Sequence, residues 1–152
     1  MIDSQNNYKE QLFKLQIPRG TVLLFKDFPL SDGEKKNKYI IILNRCHEDN
    51  SYFVLTTSNK RNYHDHFPER YLVIQKGELK FFREETIIDI TSIDCILLNS
   101  LYQRYLKQNP SSLQIVGALP SQMIDLLDDL ISKSDNISMK HKKIVLKKFG
   151  AE

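Results

Sequence analysis

The sequence predicts a mainly β domain, a small antiparallel barrel followed by one helix. Three observations lead there. Short β-branched and aromatic stretches recur along most of the chain with Gly, Pro, Asn and Asp between them, as strands joined by turns do. One later stretch, Met123, Ile124, Leu126, Leu127, Leu130 and Ile131, repeats at helical spacing, with Asp125, Asp128 and Asp129 on the other face. The length of 152 residues suits one domain with one core.

Residues 1–16 are mixed and polar, with Tyr8, Leu12, Phe13 and Leu15 as packing anchors, and read as a short helix or an arm. Ile17-Pro18-Arg19-Gly20 is a turn, because Pro18 fixes φ and Gly20 permits a tight bend. TVLLFKDF at 21–28 is the first strand, and Pro29 ends it. LSDGEKKNK at 30–38 is a polar loop in which Asp32-Gly33 marks a turn. YIIIL at 39–43 is continuously apolar and predicts a strand buried on both faces. After a loop at 44–50, YFVLTT at 52–57 is the third strand. SNKRNYHDHFPER at 58–70 is a second long polar loop. A strand at 71–74, a turn at Lys76-Gly77-Glu78 and β-rich pieces at 79–83 and 86–98 follow. Residues 100–106 read as a short helical turn and 113–117 as extended chain. Ser121 is placed to N-cap the helix, which ends over 132–136.

Composition excludes several classes. Hydrophobic residues at 41% and charged residues at 27% indicate a globular chain rather than a disordered one. No apolar run approaches the roughly 18 residues of a membrane span. The first ten residues lack an apolar stretch, which argues against a secretory signal and for the cytoplasm. Cys46 and Cys95 have no C-x-x-C spacing, so a thiolate zinc site is not expected and both are read as reduced thiols. The net charge of +3 is mild, and much of it lies in Lys140, His141, Lys142, Lys143, Lys147 and Lys148. Such a segment permits a polyanion partner without demanding one; a solvated tail is the simpler reading.

Local chemistry offers few specific signals. His64 and His66 flank Asp65, but two imidazoles do not make a metal site; either could transfer a proton. The same loop carries Lys60, Arg61, Tyr63, Phe67 and Arg70, a mixture suited to phosphates and stacked bases and equally to an ordinary polar loop. Asp89 stands between two isoleucines, where alternation would turn it to solvent.

The order of the pieces resembles the PemK/MazF (Kid/CcdB-like) toxin family of toxin–antitoxin systems. Four stretches carry the resemblance: Arg19-Gly20-Thr21-Val22-Leu23-Leu24 running to Asp27-Phe28-Pro29; Ser31-Asp32-Gly33-Glu34 before Ile40-Ile41-Ile42-Leu43; Thr56-Thr57-Ser58-Asn59-Lys60; and Val116-Gly117-Ala118-Leu119-Pro120 leading into the helix. It covers roughly residues 18–134.

The resemblance implies an SH3-like antiparallel β-barrel with a C-terminal helix over 17–134, preceded by the arm at 1–16 and followed by a basic tail at 135–152. It implies a homodimer in the cytoplasm, inhibited by a cognate antitoxin, that cleaves RNA without metal or other cofactor through attack by the ribose 2′-hydroxyl. A non-cleaving module that binds nucleic acid or a protein such as a topoisomerase is the alternative on the same barrel. The family's arginine before proline falls at Lys38, followed by Tyr39, which is a departure: lysine is a point charge without the guanidinium fork. Lys38 becomes the stabiliser of phosphorane charge, Glu34 the proton acceptor and Thr56 a phosphate donor, with Asp89, His64 or His66 as further acid–base groups. Arg19, Lys35, Lys36, Lys60 and Arg61 are the cations expected to hold nucleic acid.

Overall fold

The apolar run after Lys38 lies at the centre of the fold. The structure is a computed structural model and describes residues 4–30, 32–43, 50–58, 70–107 and 112–146. Strand β2 (Lys35–Ile42) pairs antiparallel with β1 (Thr21–Pro29) on one side and β3 (Asn50–Thr57) on the other. Successive side chains of a strand point to opposite faces, and here both faces are covered. Ile40 and Ile42 join Leu23, Phe25 and Phe53 in one apolar cluster; Ile41 and Leu43 join Val22, Tyr52 and Val54 in another. Ile40, Ile41 and Ile42 are all within 1% of complete burial. Burying each such side chain contributes about 1.5–3 kcal/mol.

Helices complete both clusters. Helices α1 (Ser4–Gln16) and α2 (Leu98–Leu106) supply Phe13, Leu98, Leu101 and Tyr102 to the first. Helices α3 (Ser121–Lys133) and α4 (Met139–Val145) supply Leu127, Ile131 and Val145 to the second, with Ile137 and Leu146 beside α4. The remaining strands are β4 (Tyr71–Ile74), β5 (Thr86–Asp89), β6 (Asp94–Leu97) and β7 (Leu113–Ala118). The sheet order is β4-β5-β3-β2-β1-β7, with β6 also on β3, and every pairing is antiparallel. Strands β5 and β6 lie end to end along β3, separated by a 3-10 turn at Ile90–Ser92.

The outer strands β4 and β7 share no ladder among the described residues, so the sheet is open where a closed barrel was expected. Burial differs from that of a simple barrel: β1, β2 and β3 carry apolar side chains on both faces, one covered with the help of α1 and α2, the other by α3, α4, β4, β5 and the 79–82 turn. Helix accordingly takes about as much of the structure as strand, 36% against 37%, where one helix and a short helical turn were the firm expectation.

Several boundaries also moved. Strand β2 starts at Lys35 because KKNK, read as loop, pairs through its backbone with Pro29, Phe28 and Phe25. Residues 79–83 form turns rather than strand, with the Phe82 N–H donating to the Leu79 carbonyl at 3.2 Å. Ser121 is the first helical residue of α3, and Pro120 holds the cap position without a side-chain bond. Strand β1 is bulged at Lys26-Asp27, since its ladder passes from Phe25–Lys38 to Phe28–Lys36. Asp27 has φ 54° there, and its N–H donates to Asn37 Oδ1 at 3.1 Å. Such a bulge bends the hairpin.

Arg19 is committed to the fold rather than to nucleic acid. Its guanidinium grips both oxygens of Asp128 on α3, and Nη2 also donates to the Val145 carbonyl at 2.9 Å. The segment after Asn136, read as a basic tail, buries Ile137, Val145 and Leu146. Lys142 Nζ donates to the Ser132 carbonyl at 3.1 Å, and the His141 ring meets Tyr52 edge-on at 5.9 Å. Lys147 and Lys148 lie outside the described residues. Among the described residues no helix is long and apolar enough to cross a membrane.

Arg19→Ala should lower stability by about 1.5–3 kcal/mol, the range for hydrogen bonds to charged groups. Arg19→Lys should recover only part of it, because an ammonium cannot grip both carboxylate oxygens and a carbonyl in one plane. Urea midpoints of the two variants read this directly; a wild-type midpoint for Arg19→Ala would contradict it.

Candidate functional site

The candidate site forms where polar sequence replaces apolar sequence in β2. The β2–β3 ladder ends at Ile40 and Leu55. Beyond it, Lys38, Lys36 and Lys35 stay on β1, while Thr56 and Thr57 of β3 pair with Ile88 and Ile87 of β5. A groove of about 430 Å³ opens between the two halves. Residues 36–39 form one wall, 56–58 a second, and Phe82, Arg83, Glu84 and Thr86 a third. The buried Thr56 hydroxyl sits at the fork and donates to the Tyr39 carbonyl at 2.9 Å.

Positive charge dominates this groove. Lys38 is half-buried, and its pKa is lowered from 10.5, first by burial and then by the neighbouring charge of Lys36. Lys36 is exposed and has Glu34 Oε2 3.9 Å from its Nζ. Arg83 is exposed. Among the described residues neither Lys38 nor Arg83 forms an ion pair. Glu84 is the carboxylate among the lining residues, and Thr57, Ser58 and Thr86 add hydroxyls. Three cations around a hydroxyl-lined cleft suit an anion whose charge is spread over several oxygens, as in a phosphodiester.

The structure therefore brings Lys38 and Thr56 together and adds Lys36. Thr56 departs from its expected role, because its one proton already goes to Tyr39; in this arrangement it fixes the fork instead of donating to a phosphate. Glu34 stands beside Lys36 without lining the groove, and Lys35 is exposed on β2, also outside it. Asp89 is neither at the groove nor turned to solvent. Its Oδ1 accepts from the Thr91 N–H at 2.9 Å and the Thr91 hydroxyl at 2.6 Å, and its Oδ2 is 3.9 Å from Arg70 Nη2. It caps the 3-10 turn that separates β5 from β6, which is why an aspartate sits between isoleucines. His64, His66, Lys60 and Arg61 lie outside the described residues. Cys95 is an exposed free thiol, and Cys46 lies outside the described residues.

Arg83 and Glu84 are the residues that sequence reasoning missed. Arg83 ends a stretch read as strand after the Phe81-Phe82 pair, Glu84 falls just beyond it, and no local pattern marks either. Among the described residues no group of three His, Cys, Asp or Glu side chains is arranged to hold a metal ion. No protein-family model matches the chain, and no curated protein matches it significantly, so the site is read from its own geometry.

The lowered pKa of Lys38 has a definite sign in stability. Below its folded-state pKa the buried charge opposes folding; between that value and 10.5 the unfolded chain holds the proton more tightly, so stability rises with pH. Lys38→Met should therefore raise the urea midpoint at pH 7, and its advantage should shrink as the pH approaches 10.5. A midpoint below wild type at pH 7 would show that the ammonium stabilises the fold.

Proposed function

We propose that this chain is a metal-independent endoribonuclease of the PemK/MazF toxin type, and that the groove beside Lys38 receives the scissile phosphate. The observation that carries the reading is the convergence of Lys36, Lys38 and Arg83 with Thr56 in one cleft. In this reading the open sheet is a strongly bent relative of the SH3-like barrel, supported by β5 and β6 lying end to end on β3 around a 3-10 turn.

The chemistry needs three things. The 2′-oxygen of the substrate attacks the adjacent phosphorus, its proton leaves, and the P–O5′ bond breaks as O5′ gains a proton. Lys38 stabilises the charge that develops on the non-bridging oxygens; partial burial strengthens that interaction relative to water. Glu34 is one proton acceptor at the margin through Lys36, and Glu84 is the carboxylate already in the groove. RNA is the substrate, a second copy of the chain and a cognate antitoxin are its partners, and the cytoplasm is its compartment. Two observations favour the non-cleaving alternative: lysine stands where the family has arginine, and the Thr56 proton is engaged.

Purified protein incubated with long RNA in EDTA, followed by mapping of cut ends, separates the two. The expected products end in a 2′,3′-cyclic phosphate or the derived 3′-phosphate. Lys38→Ala should slow cleavage by about 10²–10³, the usual loss when a positioned charge stabiliser is removed, and Thr56→Ala should slow it less. Binding without cleavage would select the alternative. Wild-type rates in both variants would remove these residues from the reaction.

A further inference from the structure

We propose that Arg83 is the phosphate clamp of the groove, gripping two non-bridging oxygens of a single-stranded nucleic acid beside Lys38. The inference rests on reading the groove as a nucleic-acid site and assigns the guanidinium that β2 does not provide. The lysines of β2 bring charge without orientation. A guanidinium brings a planar fork of donors that matches two oxygens of one phosphate.

The segment around Arg83 is built to present it. On one side Phe82 is buried, with its ring edge-on to Tyr39 at 5.1 Å and to Phe81 at 4.8 Å. Because Tyr39 follows Lys38 in β2, that ring contact fixes the spacing between the Arg83 wall and the Lys38 wall. On the other side Thr86 is buried, and its hydroxyl donates to the Glu84 carbonyl at 3.0 Å. Arg83 thus sits between two anchors with its backbone held and its side chain exposed. Among the described residues no carboxylate pairs with it, in contrast to Arg19 on Asp128 and Arg70 near Asp89. Arg104 serves the fold without a carboxylate, but it lies over the Phe25 ring at 4.2 Å and donates to the Lys26 carbonyl at 3.3 Å. The groove volume, near the lower end of the roughly 300–1,000 Å³ of small-ligand sites, has room for a phosphodiester and its sugars.

The test is fluorescence anisotropy with a 2′-O-methyl RNA oligomer, which binds but cannot be cut because its 2′-oxygen carries no proton. Arg83→Ala should weaken binding roughly tenfold or more and reduce the salt slope by about one, with an unchanged urea midpoint. Arg83→Lys should restore the slope and leave the affinity low. Lys9→Ala, on α1, should change neither. Wild-type affinity in Arg83→Ala overturns the assignment whether or not the protein cuts RNA, and full affinity in Arg83→Lys reduces the clamp to a point charge. Displacement of the oligomer by equimolar inorganic phosphate would make this a free-phosphate site and overturn the nucleic-acid assignment. If RNA stays intact in the wild-type protein while binding depends on Arg83, the clamp stands and the nuclease reading falls.

Discussion

Everything in this fold follows from a central strand whose apolar half, Ile40 to Ile42, has no exposed face. Ile40, Ile41 and Ile42 are fully covered, on one side with α1 and α2 and on the other with α3, α4, β4, β5 and the 79–82 turn. The N-terminal segment becomes α1 and the C-terminal segment becomes α3 and α4 because both faces of β2 must be dried. Where the apolar run stops, at Tyr39, the demand stops too. The polar stretch before it pairs along β1 and not along β3, β3 turns to β5, and the cleft between them is lined by what the sequence places there.

The legible parts of the fold were those with a local cause. YIIIL reads as two-faced because it does not alternate, and the helix at 121–133 reads from its spacing. KKNK did not read as strand because backbone pairing at an exposed hairpin asks nothing of the side chains. Helix α4 was hidden because its few apolar residues gain their burial only from Tyr52, α3 and the sheet, all distant in sequence. The site was legible in half. Lys38 and Thr56 were named only through the family resemblance, whereas Arg83 and Glu84 join them from a segment whose relevance exists only in three dimensions. Arg19 and Asp89 show the converse: prominent charges in sequence whose partners, Asp128 and Thr91, turn out to be structural.

Charge is divided between these two uses. Arg19, Arg70 and Lys133 each meet a carboxylate at 4.0 Å or closer, and Lys142 meets a carbonyl. Among the described residues Lys38 meets none, although it is half-buried and has another lysine two residues away. A fold tolerates such a group when the strand that carries it is held elsewhere. Here the Thr56 bond to Tyr39 and the Phe82 ring against the same tyrosine hold it.

The contact between Arg19 and the Val145 carbonyl spans 126 positions of chain. On the ribosome, the first strand is made long before the residues that satisfy its arginine and seal the second apolar cluster. The nascent strands β1, β2 and β3 therefore emerge with one face of their central isoleucines still uncovered, and long-range closure of this kind is slow. The second apolar cluster therefore lacks Val145 and Leu146, and Arg19 one of its acceptors, until the chain has been made as far as Leu146.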